Sequence, residues 1–276
     1  MSDPTSVRVP AGLAWALAAA CLFAQTPAPP HPDFAGIWNS ATATPLERPA
    51  RFKDKEFFTR EEAAAWEHQT AAQGEDLPPG VTPTRGIGTY NKVFREPGPK
   101  VLPTLRTSIV IDPSDGKIPA LTPAAAAEKR RRQNLLQHPA GAHDFGLQDQ
   151  CIVFPTAVPP MLPYGYNSNY QIIQTGSELM INVEMAHDTR IIPLNGRAHL
   201  PSGVRLWLGD SVGHWEGHTL VVDTANFNDG GGFFGDAGGM FGSDRNLHVV
   251  ERFRLLDANT ILYRFEVDDP TAFTRP

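Results

Sequence analysis

The chain has 276 residues, 24 lysines and arginines against 30 aspartates and glutamates, a net charge of −6, and 41% hydrophobic residues. That acidic balance, with a sequence pI of about 5.8, argues against a nucleic-acid partner, because such proteins neutralise phosphates with clustered lysines and arginines. From Pro201 onward eleven acidic residues face six arginines, which also argues against binding to anionic surfaces.

Arg8, an apolar run from Ala11 to Ala24 and a Pro-rich opening QTPAPPHPD are arranged as in a secretory signal peptide. Residues 1–24 are therefore expected to be removed, with residues 25–33 as a Pro-rich linker. The apolar run is shorter than the roughly 20 residues that span a bilayer, so no integral membrane segment is expected after signal removal. The expected compartment is secreted or periplasmic, with a lipid anchor through Cys21 as the lesser alternative. Residues 34–276 read as a single β-rich domain. Without Cys21, Cys151 is alone and forms no intramolecular disulfide. Within the apolar segment CIVF it reads as a buried, inert thiol.

In chain order, Phe34 to Ser40 reads as a first strand, and its Gly36-x-Trp38 resembles the opening of a lipocalin-type barrel. Thr59-Arg-Glu-Glu62 has the spacing of a capping box, in which Thr and Glu satisfy each other's backbone N–H groups, and predicts a helix over 60–72. Glu75 to Gly88 is dense in Pro and Gly and reads as loop. Leu105 to Asp112 alternates like a strand, closed by a turn at Asp112 to Gly116. Thr122 followed by Pro123 supplies an N-cap and a first-turn proline for a second helix over 123–137. The basic run Lys129 to Arg132 falls toward the end of that helix and reads as solvated.

Strands are then predicted at Tyr170 to Gln174, Leu179 to Met185, Thr189 to Leu194, Val204 to Leu208, His218 to Phe227, Leu247 to Leu256 and Thr260 to Val267. Closely spaced strands joined by short turns indicate an antiparallel meander, which hides its edges by closing into a barrel. The expected fold is mainly β: a closed, lipocalin-like antiparallel barrel or a meander, with two short N-terminal helices.

The segments YNSNYQIIQT, EMAHDTRIIPL, GHWEGHTLVVDTANF, NLHVVERF and FEVDDPTAFTRP together resemble a family of uncharacterised exported bacterial proteins. RTSIVIDPSDGKIPALTP and GIWNSATATPLERP extend the resemblance over most of the chain beyond the signal. It implies export and imports no reaction, ligand or functional residue. Relatives usually carry Asp where this chain has His218, which implies that His214 and His218 are not a family metal pair. They also continue past the Thr-Arg-Pro block, so a chain ending at Pro276 is expected to be truncated.

Several constellations could carry chemistry. After the strand bearing Asn182 and Glu184 come His187, Asp188 and Arg190, types able to supply a general base, an orienting carboxylate and an anion clamp. The alternative is a polar hairpin in which Asp188 pairs with Arg190 at the surface. Tyr164, Tyr166, Asn167 and Asn169 offer aromatics and amides for a ligand, and Trp215 either caps the core or joins them. His214 and His218, placed in a Gly-rich turn, would need Glu216 or His248 as a third metal ligand, and no metal or cofactor is expected.

Asp223 shares a strand face with Val221 and Ala225, where a carboxylate needs a partner; Arg252, Arg254 and Arg264 are the candidates. Asn228 to Gly242, with seven glycines and three phenylalanines, reads either as a lid over an apolar ligand or as a loop packed on a rim. The leading expectation is small-molecule binding in a β-barrel pocket. The competing expectations are an acid–base enzyme (lyase, isomerase or hydrolase) using His187 with Glu184 or Asp188, and a structural envelope protein. Oligomeric state is left open.

Overall fold

A computed structural model describes residues 31–72, 100–147, 150–154, 156–163, 167–228 and 245–276. The signal peptide and all but the end of the linker lie outside these residues, and Pro32–Pro276 forms one structural unit. Two antiparallel four-stranded sheets make the framework. The first contains β1 (Gly36–Asn39), β2 (Asn169–Gln174), β3 (Glu178–Val183) and β4 (Thr189–Pro193), in that order. The second contains β5 (Asp210–Glu216), β6 (Thr219–Ala225), β7 (His248–Asp257) and β8 (Thr260–Asp268).

The mainly β expectation is therefore met as two sheets, and the described ladders do not close into a single barrel. Both sheets turn one face into a shared core. From the first come Tyr170, Ile172, Leu179, Ile181, Val183 and Ile192, and from the second Leu220, Val222, Val249 and Phe253, all buried. The two-residue period of a strand accounts for this division, since alternate side chains leave on opposite faces. Phe34 is fully buried; it stacks on Trp215 with ring centroids 5.8 Å apart and meets Phe253 edge-on. Trp38 joins the same core and donates Nε1–H to the Phe34 carbonyl at 2.8 Å.

The sheets approach closely where β4 meets β5. A Cβ on Gly213 would lie 2.6 Å from Leu194 Cδ2 and 3.1 Å from Ile192 Cγ2, so only glycine fits there without displacement. Across the same interface Arg190 of β4 and Glu251 of β7 form a buried ion pair. The guanidinium makes contacts of 3.1 and 2.6 Å to the two carboxylate oxygens. Ser211 accepts a further bond from Arg190, and Tyr263 donates its phenol to Glu251 at 2.7 Å. Burial, reinforced by the Glu251 charge, pushes the Tyr263 phenol well up; burial likewise pushes Tyr170 up to about 12.

Both predicted helices form over the predicted residues: α1 (Arg60–Ala72) and α2 (Pro123–Gln137). Thr59 N–H donates to Glu62 and Glu62 N–H donates to Thr59, completing the capping box. Thr122 Oγ1 accepts from Ala125 N–H while its hydroxyl donates to the Thr271 carbonyl, which fastens α2 to the last residues of the chain. Trp66 of α1 donates to the Ala43 carbonyl and packs in a satellite core with Phe58, Ala63 and Val101.

Three strand expectations are corrected. His214, Trp215 and Glu216, expected in a Gly-rich turn, belong to strand β5 (Asp210–Glu216); Ser211, Gly213 and Trp215 supply its inward face. Val204 to Leu208 is not a strand, and only Leu206 bridges to Phe227. Leu105 to Asp112 reduces to a bridge between Arg106 and Phe57, with Leu105 at a left-handed φ of 57° that interrupts extended pairing. Cys151, expected buried, is exposed.

Candidate functional site

A connected cluster of titratable side chains lies on the outer side of the β5–β8 sheet. Asp210 opens β5, Asp223 lies within β6, and His248 opens β7. Asp223 is opposite Val250 in the ladder, and His248, two residues from Val250, leaves on the same face. The connection between β4 and β5 brings Arg197 and His199 over this face.

His199 lies between two carboxylates. Its Nδ1 is 3.0 Å from Asp210 Oδ2 and its Nε2 is 2.8 Å from Asp223 Oδ1. The other Asp223 oxygen meets His248 Nε2 at 2.9 Å. Arg197 donates twice to Asp210, at 3.1 and 2.6 Å, and Leu200 N–H adds a bond of 2.8 Å. The result is a continuous chain from Arg197 through Asp210, His199 and Asp223 to His248.

Burial grades along that chain. The Asp210 side chain is 4% exposed, whereas Asp223 is 35% and His248 40% exposed. Burial alone would push the Asp210 carboxyl up, but the donors from Arg197, Leu200 and His199 outweigh it and hold it at about 2. Asp210 is thus a fixed anion, and the far end of the chain is open to solvent. Among the described residues His248 Nδ1 has no hydrogen-bond partner, so it is placed to take or give a proton while Asp223 holds Nε2.

The surroundings are partly apolar. Leu200, Val204, Leu206 and Trp207 are each between 37% and 42% exposed. Asn226 donates to the Leu200 carbonyl, Leu206 N–H to the Asn226 carbonyl, and Arg205 to the carbonyls of Phe227 and Arg245. These bonds lay residues 200–206 across the exit of β6 and the approach to β7, beside Asp223 and His248.

The expected catalytic set is divided. Arg190 points into the core and is held by Glu251, because it shares the inward face of β4 with Ile192. Glu184 is exposed and accepts from Asn169 Nδ2 at 2.8 Å. His187 is exposed in the β3–β4 turn, where it and Ala186 adopt φ values of 60° and 61°. Asp188 makes no pair with Arg190. Its Oδ2 is buried without a hydrogen-bond partner, and burial pushes its carboxyl up.

Among the expected ligand-binding residues, Asn182 accepts from the Thr189 hydroxyl and Asn167 contacts Met185 Sδ at 3.8 Å. Trp215 packs on Phe34, in agreement with its core-capping role. Tyr164 and Tyr166 lie outside the described residues, as does all but Asn228 of the expected lid from Asn228 to Gly242.

Asp223 is paired, as a carboxylate on that face requires, but with two histidines and not with Arg252, Arg254 or Arg264. His214 meets Glu216 at 3.3 Å and both are exposed on β5, with His218 in the following turn. Among the described residues no group of three His, Cys, Asp or Glu side chains could hold a metal ion; His199 and His248 direct their Nε2 atoms to separate oxygens of Asp223. No family model, curated protein or solved structure matches the chain.

Proposed function

We propose that the protein binds a small amphipathic molecule at the end of the β5–β8 sheet, where His248 exchanges a proton with it. The observation that carries this reading is the pairing of a solvent-reachable imidazole with a carboxylate that is itself anchored, through His199, to the buried Asp210. Such backing fixes the orientation of a histidine and leaves its second nitrogen for a ligand. Leu200, next to His199, and Leu206 and Trp207 in the same connection are partly exposed, and a site that mixes apolar surface with a few placed polar groups suits small molecules. The reading needs no closed barrel mouth. Arg8 and the apolar run of residues 11–24 support binding by an exported protein.

The test is a thermal-shift screen of amphipathic molecules bearing a hydroxyl, amine or carboxyl, repeated on His248→Ala and Asp223→Asn. A ligand at 100 times its Kd adds about 2.7 kcal/mol to the stability of the free protein, and both variants should lose that increment. A screen without a single shift overturns the reading, as does a hit that both variants retain.

A second reading is supported by His248 Nδ1, which has no hydrogen-bond partner among the described residues: general acid–base chemistry on the bound molecule, with His248 replacing the expected His187 as the proton-transferring group. A hit consumed by the wild type and bound but not consumed by His248→Ala would establish it. A hit recovered unchanged from the wild type would leave binding alone.

A further inference from the structure

The edge strands of the two sheets are β1 and β4 in the first and β5 and β8 in the second. β1 has only four residues, and β4 and β5 approach each other between the sheets. β8 has nine residues without a proline or a lysine, and it pairs with β7 without interruption from Asp268 back to Ile261. Among the described residues its outer backbone edge has no hydrogen-bond partner. A long regular edge offers its N–H and C=O groups to another strand, and chains usually blunt such edges with lysine, proline or a bulge.

The side chains add a second observation. Arg264, Glu266 and Asp268 leave on the outer face and are exposed, while Tyr263, Phe265 and Val267 leave on the inner face and are half-buried. Arg264 lies directly opposite Arg252 of β7, and like charges so placed oppose pairing. Glu266 is bonded to Arg252 at 3.0 Å, and among the described residues Arg264 has no carboxylate partner. The Glu266 side chain is 76% exposed and, as a carboxylate, can accept from a second donor.

We propose that β8 pairs antiparallel with β8 of a second copy of this chain, about a twofold axis at Phe265, so that two four-stranded sheets become one. Charge selects this register. Side chains keep their faces across an antiparallel ladder, so the axis must fall on a residue and not between two. At Phe265 it pairs residues 262–268 and sets Arg264 of each copy opposite Glu266 of the other. One residue earlier it would set Arg264 against itself, and one residue later Glu266 against itself. On the inner face Phe265 meets its counterpart and Tyr263 meets Val267. The Phe265 ring lies 5.7 Å from that of Tyr263 and is only half-buried, which leaves surface for its twin. The same patch serves both copies, as a closed twofold dimer requires. The dimer does not depend on what binds beside His248.

Sedimentation equilibrium over a range of protein concentrations tests the pairing. The wild type should reach twice the mass of the chain. Arg264→Glu sets carboxylates against carboxylates across the axis and Glu266→Arg sets guanidiniums against guanidiniums, so each should weaken the dimer roughly tenfold or more. The double variant Arg264→Glu/Glu266→Arg restores opposite charges and should dimerise as the wild type does. An equimolar mixture of the two single variants should form a heterodimer, a result that an unfolded variant could not give. A wild type that remains at the mass of one chain, single variants that dimerise as the wild type does, or a mixture that remains monomeric would each overturn the proposal.

Discussion

Arg190 and Glu251, from different sheets, meet as a bidentate pair with side chains 1% and 0% exposed. Removing one partner leaves the other charge buried and unpaired, a change that costs about 3 to 5 kcal/mol. Glu251→Gln and Arg190→Met should each lower the unfolding free energy by that order in equilibrium denaturant unfolding. The double variant Arg190→Met/Glu251→Leu removes both charges and should recover much of the loss. A double variant as unstable as the sum of the singles would mean that the pair contributes through packing alone.

Two aspartates should give stability opposite pH dependences. Asp210 is held at about 2 against an ordinary value of 3.8, so its contribution is complete above about pH 4 and is lost as pH falls through about 2. The shift corresponds to no more than about 2 kcal/mol. Asp188 is pushed up by burial, so its charge penalises folding above the raised value and the penalty vanishes as pH falls toward 3.8. Asp210→Asn should therefore destabilise at neutral pH and flatten the acid limb, whereas Asp188→Asn should stabilise at neutral pH. Unfolding free energies measured from about pH 2 to about pH 7 check both signs.

Gly213→Ala should destabilise by about 1 to 3 kcal/mol, the cost of overpacking a filled interface. The added methyl would meet Leu194 and Ile192 across the two sheets, and Ile192 is fully buried. A thermal midpoint unchanged from the wild type would show that β4 gives way at no cost.

Thr122→Ala removes the α2 cap and its link to Thr271 together. The cap alone is worth about 0.5 to 2 kcal/mol. Exchange of the α2 amides and of the Ala272–Phe273 amides should accelerate in concert. Acceleration confined to α2 would show that the link to Thr271 does not hold the C-terminal segment.

What was legible in the sequence was local. The capping box at Thr59 and Glu62 and the Thr122-Pro123 pair act within one helical turn, and both helices began and ended as read. The alternation of Leu179, Ile181 and Val183 likewise marked a buried face. The same alternation placed Arg190 on the face of Ile192, a signal that outweighs its sequence proximity to His187. Gly213 concealed β5, because a glycine required by the neighbouring sheet has the appearance of a turn. The site was hidden for a different reason: His199 lies outside any strand and meets Asp210 and Asp223 only after β5 and β6 have paired. Arg252, Arg254 and Arg264 carry a fixed charge that marks them as partners for Asp223, whereas nothing local in the sequence marks His199 or His248.

Phe34 has a consequence for how the chain reaches this structure. Its aromatic partners, Trp215 and Phe253, lie in the last third of the sequence, and ribosomes deliver the N-terminal residues first. The Phe34 ring, just ahead of the first strand, therefore stays unsheltered by these partners until nearly all of the polypeptide has been made. Closing so long a loop places this contact among the late and slow steps of assembly.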